Sequence, residues 1–209
     1  MNILLIGKQT SGKGTQAIIL KDKLKIPHIS SGDMFREHLK KQTELGKKAD
    51  SFMKSGELVP DELVIQMVQE RLKNKDTKKG YILDGFPRTA PQAKALSEVT
   101  KLDKVIQIKI SDEEATNRML NRRTCMKCNH IYNLYTMPKP KDPAVCDEDS
   151  SPLIQRDDDF PEPIAERLKI YKKETEPLLK LYKKDKLLKS VDGTKEIKKV
   201  TKDILAILK

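Results

Sequence analysis

The chain has 209 residues, enough for one full α/β core with small insertions, and its formal charge is +11, from 42 Lys and Arg against 31 Asp and Glu. Three cysteines do not make a disulfide framework, no apolar run approaches the roughly 18 residues of a membrane span, and the chain opens on a strand-like segment instead of a signal peptide, so a cytoplasmic protein is expected. The lysine excess concentrates from residue 169 onward, with 13 Lys against 6 Asp and Glu; with only 4% aromatic residues it reads as a solvated face, and no nucleic-acid or membrane partner is expected.

Ile3-Leu4-Leu5-Ile6 is a buried-type strand running into Gly7-Lys8-Gln9-Thr10-Ser11-Gly12-Lys13-Gly14-Thr15-Gln16. A strand, a glycine-bearing turn and a helix present several backbone N–H groups to one phosphate, and Lys13 adds a point charge. The strict P-loop has Ser or Thr directly after the lysine, whereas here Gly14 intervenes before Thr15. A helix is predicted over Thr15–Lys25, then a short strand Ile26–Ser30. From Met34 to about Ser55 the pattern is helical and polar, interrupted by Gly46 and ended by Gly56. Another helix starts at Pro60-Asp61 with Leu63, Val64, Met67, Val68 and Leu72 at helical spacing.

Tyr81-Ile82-Leu83 is a strand ending in Asp84-Gly85, and a helix follows Pro91. Val105–Ile110 is a strand, with Asp112 as N-cap of the next helix, which Arg118, Arg122 and Arg123 close. Prolines, cysteines and an acidic cluster break the rhythm over 124–160. A helix then runs from Glu162 to about Lys184, followed by a strand Leu187–Val191 and a helix Lys195–Leu208. This alternation predicts an α/β fold with a mainly parallel sheet. Two insertions divide a core of 1–29, 60–121 and 160–209: residues 30–59 and residues 122–159.

Cys125-Met126-Lys127-Cys128 and Cys146-Asp147-Glu148-Asp149 are two ligand pairs, each spaced by two residues. Three thiolates and the Asp149 carboxylate would make a closed tetrahedral set, so a structural Zn²⁺ site is expected. His130, two residues beyond Cys128, is a rival ligand that lacks this spacing.

Arg36, Arg88, Arg156 and Arg167 fall after strands or at insertion edges, where open α/β sheets bind ligands. The arginine fork binds two phosphate oxygens and keeps its charge. His28, His38 and His130 show no nucleophile or base partner and read as structural or surface residues. A phosphate acceptor needs no general base, because it is already ionised at pH 7. Asp84, closing a strand near the loop, is placed to handle Mg²⁺ through its waters.

Taken together, these residues resemble adenylate kinase of the long form with a zinc-bearing lid, over nearly the whole chain. Gly12-Lys13-Gly14-Thr15-Gln16 is similar to that family's loop, Ser30–Arg36 to its monophosphate segment, and Leu83–Thr89 with Pro91-Gln92 to its most distinctive stretch. The lid resembles the family's through Arg122-Arg123, the Cys/Cys/Cys/Asp set, Ile131-Tyr132 and Gln155–Asp159, and Asp192-Gly193-Thr194-Lys195 resembles the turn beside the adenine. The resemblance implies a P-loop kinase core with a helical NMP-binding insertion and a lid, working as a monomer on ATP and AMP to give two ADP, with Mg²⁺. It implies Lys13, Arg88, Arg122, Arg156 and Arg167 as catalytic residues. Thr10, Ser11, Gly12, Lys13, Gly14, Thr15, Arg122, Ile131, Tyr132 and Lys195 would bind ATP.

For AMP the same resemblance implies Ser31, Arg36, Glu57, Leu58, Val59, Gly85, Phe86, Pro87, Arg88, Gln92, Arg156 and Arg167. The chain departs from the family's pattern at Gln9 and Thr10, where proline and glycine are usual, at Ser31 for threonine, and at Asn129 for glycine. A kinase for another monophosphate such as UMP or CMP is the nearest alternative. A basic nucleic-acid binder with a zinc ribbon leaves the loop unexplained, and an inactive P-loop module would bind nucleotide without phosphoryl transfer.

Overall fold

Alternation along the first strand sets the architecture. In β1 (Asn2–Ile6), Leu4 and Ile6 face one side of the sheet while Ile3 and Leu5 face the other, and all four are buried. A strand buried on both faces belongs in the middle of a parallel sheet. The computed structural model describes residues 1–209 and places β1 centrally, in the order β2–β3–β1–β4–β8, with every pair parallel. The partners are β2 (His28–Ser30), β3 (Tyr81–Asp84), β4 (Lys104–Lys109) and β8 (Leu188–Asp192).

Helices cover both faces. Leu4, Ile6, Leu83 and Val105 pack with Val64, Met67 and Val68 of α4 (Asp61–Leu72) and with Leu96 of α5 (Ala90–Val99). Ile3, Leu5, Ile82 and Ile106 pack with Ala17 and Leu20 of α1 (Lys13–Leu24) and with Val200 and Ile204 of α9 (Ile197–Leu208). The expected α/β sheet flanked by helices is the fold found.

The segment 30–59 holds two helices, α2 (Ser31–Lys40) and α3 (Glu44–Ser55). The helical run breaks at Lys41–Thr43, not at Gly46 as the sequence suggested. Thr43 caps α3 through the Gly46 N–H, while Gly46 lies inside α3 against the end of α2. A Cβ there would meet the His38 carbonyl oxygen at 2.4 Å, so the glycine serves close packing and not interruption.

A second correction concerns α6 (Asp112–Leu120). Its N-cap is Ser111, whose hydroxyl accepts the Glu114 N–H at 3.0 Å; Asp112 is already helical and pairs with Lys8 and Lys172. Nor do Arg122 and Arg123 close this helix. They begin β5 (Arg122–Cys125), which pairs antiparallel with β6 (Ile131–Asn133) and β7 (Leu153–Ile154). Cys125, Tyr132, Cys146 and Leu153 form the small core of this second sheet.

The helix expected over 162–184 is continuous but not uniform. α7 (Pro161–Ile170) passes through a π-helical turn, Tyr171–Thr175, into α8 (Glu176–Lys184). Pro177 explains the widening: its ring lacks an N–H and would clash with the Lys173 carbonyl in regular α geometry. No helix is long and apolar enough to cross a membrane.

Candidate active site

The loop after β1 turns into α1 at Gly12, whose φ of 99° is accessible to glycine and strained for other residues. No side chain caps this helix, so its first-turn N–H groups stay available to an anion. Lys13 folds back over the loop and donates from Nζ to the Gly7 carbonyl at 2.8 Å and the Lys8 carbonyl at 2.7 Å. Burial lowers its pKa to about 8; Asp84 opposes the shift, while Arg88 and Arg122 add to it. A cation drawn partly out of water among other cations is suited to an anionic ligand.

Of the unusual pair in this loop, Thr10 is held by contacts to α6, while nothing in the structure explains Gln9. Thr10 takes a left-handed φ of 55°, and its Oγ1 lies 2.6 Å from the Gln9 carbonyl and 3.1 Å from that of Ala115. The Thr10 carbonyl accepts from Arg118 Nη1 at 3.3 Å. Arg118, 8% exposed, also binds Glu114 at 2.6 Å and the Gly193 carbonyl at 3.0 Å, tying the loop to the 192–195 turn. Within that turn, Lys195 pairs with Asp203 of α9 at 2.9 Å.

Asp84, the last residue of β3, sits in register with Leu5 and Ser30 beside the loop. Burial pushes its pKa up, but the His28 contact and the Lys13 charge outweigh this and hold it below the usual carboxylate range. His28 Nε2 is 3.7 Å from Asp84 Oδ2, so His28 has a partner that the sequence did not reveal. The two meet because β2 and β3 are adjacent, a pairing that local sequence cannot give.

A cleft bordered by Gly85, the residue after Asp84, also has Ser31, Arg36, Glu57, Leu58, Val59, Arg88, Gln92 and Arg167 in its lining. Ser31 Oγ donates to the Gly85 carbonyl at 2.7 Å, as does Arg88 Nε at 2.8 Å. Arg36 pairs with Asp33, and Gln92 is almost fully buried. Phe86 and Pro87 lie in the packed layer and do not line this cleft.

The remaining arginines form a charged roof. Arg122 makes a fork to Asp159 at 2.7 and 2.6 Å, Arg167 pairs with Asp158, and Arg156 Nε donates to Thr124 Oγ1 at 2.9 Å. Burial lowers the pKa values of Arg156 and Arg167 well below the ordinary arginine value, and neighbouring guanidiniums reinforce this; Arg122 and Arg36 act on both. The Arg36 charge on the 30–59 segment thus reaches Arg156 on the 122–159 segment. Asp158 and Asp159, both buried, were missed as site residues. Their acidic run after Arg156 was visible, but not which guanidinium each would hold.

In the three-stranded sheet, Ile131 is exposed, whereas Tyr132 is buried and its hydroxyl accepts the Asp147 N–H at 3.0 Å. Only Ile131 of this pair offers its side chain outward. The cysteines lie on two turns of like geometry. Asn129 N–H donates to the Cys125 carbonyl and Ser150 N–H to that of Cys146, each with a left-handed residue, φ 61° at Asn129 and 58° at Ser150. Asn129 therefore takes a left-handed conformation, which glycine and asparagine tolerate best.

The ligand atoms of Cys125, Cys128, Cys146 and Asp149 all lie within 4.8 Å of one another. Cys128 Sγ and Cys146 Sγ are 3.6 Å apart, and Cys125 Sγ is 3.5 Å from both Asp149 oxygens. Thiolates about 2.3 Å from a tetrahedral zinc stand ~3.8 Å apart, so these residues fit such an ion. His130 stacks on Tyr132, with ring centroids 4.5 Å apart, and lies outside the cluster.

A family model described as adenylate kinase matches residues 5–187. The chain is 48% identical to the adenylate kinase of Staphylococcus aureus (strain COL) over 213 aligned residues, covering 100% of this chain and 99% of that protein. It is 47% identical to the adenylate kinase of Staphylococcus epidermidis, with the same coverage.

Proposed function

The chain belongs to the adenylate kinase family, and on that premise we propose how its side chains divide the work. The reaction is phosphoryl transfer from ATP to AMP, giving two ADP. In this reading the free N–H groups at the start of α1, with Lys13, hold the ATP phosphates, and Thr10, Ser11, Gly12, Gly14 and Thr15 shape that cradle. Arg122 closes from the lid, with Ile131, Tyr132 and Lys195 toward the adenine; Tyr132 contributes its backbone there. AMP occupies the cleft, its phosphate held by Arg36 and Arg88 and its base against Glu57–Val59 and Gln92. Ser31 and Gly85 line it, with Phe86 and Pro87 packed behind them. Arg156 and Arg167 lie where the two nucleotides meet.

The observation that carries this division is the convergence of Arg36, Arg88 and Arg167 on one cleft, with the Arg88 charge acting on Lys13. AMP phosphate is already ionised at neutral pH, so no base is needed. Guanidinium forks align the acceptor oxygen and neutralise charge spreading over the transferring group. Closure of the 30–59 and 122–159 segments excludes water, which would otherwise accept the phosphoryl group. Mg²⁺ bound with ATP supplies further neutralisation at the phosphate oxygens. Asp84 suits it: buried, held ionised, and contacted by His28 only at 3.7 Å.

The Cys/Cys/Cys/Asp cluster is assigned to a structural Zn²⁺ that pins the lid sheet, because four ligands leave no position for substrate. We take a monomer as the working unit, in a cytoplasmic enzyme without membrane or nucleic-acid partners. Arg36→Ala tests the division directly. It is expected to raise KM for AMP by about tenfold or more, the loss of a charged phosphate contact, with KM for ATP within about twofold. A change in KM for ATP alone would overturn the assignment.

A further inference from the structure

We infer that Asp61 is a positioning residue for base recognition, acting through Gln92. Asp61 stands at the start of α4 and bridges to the start of α5: Oδ1 accepts from Gln92 Nε2 at 2.7 Å and Oδ2 from Thr89 Oγ1 at 2.9 Å. The other end of the amide is also fixed, since Gln92 Oε1 accepts the Arg88 N–H at 2.8 Å. An ionised carboxylate only accepts, and a backbone N–H only donates. The amide can therefore sit one way round, with NH₂ toward Asp61 and oxygen toward Arg88.

That leaves one Gln92 N–H for a ligand in the cleft that Gln92 lines. The inference rests on assigning that cleft to AMP. A ring nitrogen with a lone pair, such as N1 of adenine, satisfies the spare donor. The same position in hypoxanthine carries a proton and meets it donor against donor, so the base is rejected. Without Asp61 the amide loses its anchor and can turn its oxygen to the cleft, losing AMP affinity and the discrimination together.

Steady-state kinetics with AMP and IMP on Asp61→Ala, Asp61→Asn, Gln92→Ala and the Asp61→Ala/Gln92→Ala double variant test this. Asp61→Ala is expected to raise KM for AMP about tenfold, with kcat within about threefold, KM for ATP unchanged and the preference for AMP over IMP reduced about tenfold. Asp61→Asn, which keeps one acceptor, should fall between Asp61→Ala and the parent protein. Adding Asp61→Ala to Gln92→Ala should change KM for AMP by less than about twofold, because the two act as one unit. Additive effects, or equal rises in KM for AMP and ATP tracking a lower melting temperature, would make Asp61 merely structural and overturn the proposal. So would an unchanged AMP/IMP preference. If Gln92→Ala itself leaves KM for AMP unaltered, the assignment of the cleft to AMP fails first and the role of Asp61 with it.

Discussion

Lys13 shows how a single side chain stores readiness for substrate. Burial brings its pKa to about 8, well below that of a lysine in the unfolded chain. The unfolded state thus binds the proton more tightly, so the fold carries a penalty at neutral pH of about 3 kcal/mol. That penalty is relieved as pH rises from about 8 toward the ordinary lysine range near 10.4. Bound phosphates supply the missing counter-charge and pull the pKa back up. The alkaline limb of kcat/KM for ATP should therefore have a midpoint near 8, while the limb in kcat, which reports the bound enzyme, moves higher. Coincident limbs in both profiles would contradict this role. The lysine was legible in the sequence from its place after Gly12. Its environment was not, because Asp84, Arg88 and Arg122 reach it only through sheet order and the placement of β5. The same holds for Asp158 and Asp159, whose paired guanidiniums lie on other elements.

Among the elements, the two cysteine turns and the α2–α3 pair carry sharp consequences. With Cys125 and Cys146 buried in a core of four residues, the lid sheet has too little apolar interior to hold itself without a cross-link. Cys146→Ser should lower metal content and melting temperature, by about 2–4 °C for each kcal/mol lost, and should abolish any response to chelator. Turnover at low temperature should be largely kept; equal melting of the parent protein with and without chelator would remove the structural ion. Gly46 governs the other insertion. Gly46→Ala forces a methyl group against the His38 carbonyl, where overpacking costs about 1–3 kcal/mol. It should raise KM for AMP several-fold while sparing KM for ATP, and an unchanged KM for AMP would separate this contact from the cleft. Spacing alone gave the cysteine set, because ligand turns are local. Gly46 was misread because close packing between helices looks in sequence like interruption. The π-helical turn was hidden for a related reason: Pro177 is tolerated in a helix once Thr175, whose Oγ1 donates to the Arg88 carbonyl at 2.9 Å, anchors the widened turn.

In the molecule as a whole, a five-stranded parallel sheet fixes Lys13 and Asp84 at its carboxyl edge, and two inserted segments bring arginines over them. The strands and their order of helices were readable from alternation and length, since apolar runs such as Ile3–Ile6 fit only an interior strand. The arrangement of charge over the site was not readable. It depends on charges such as Arg156 and Arg36 acting on one another from segments 120 residues apart in sequence, the difference between positions 156 and 36. Such a site should join two nucleotides and not hydrolyse one. The direct test is to incubate the enzyme with Mg²⁺, ATP and, in turn, AMP, UMP, CMP and IMP, and to count products by phosphorus NMR. Two ADP per AMP consumed, with little free phosphate and slow turnover of the other monophosphates, is the expected result. Release of free phosphate with AMP untouched, or faster turnover of UMP or CMP, would contradict it.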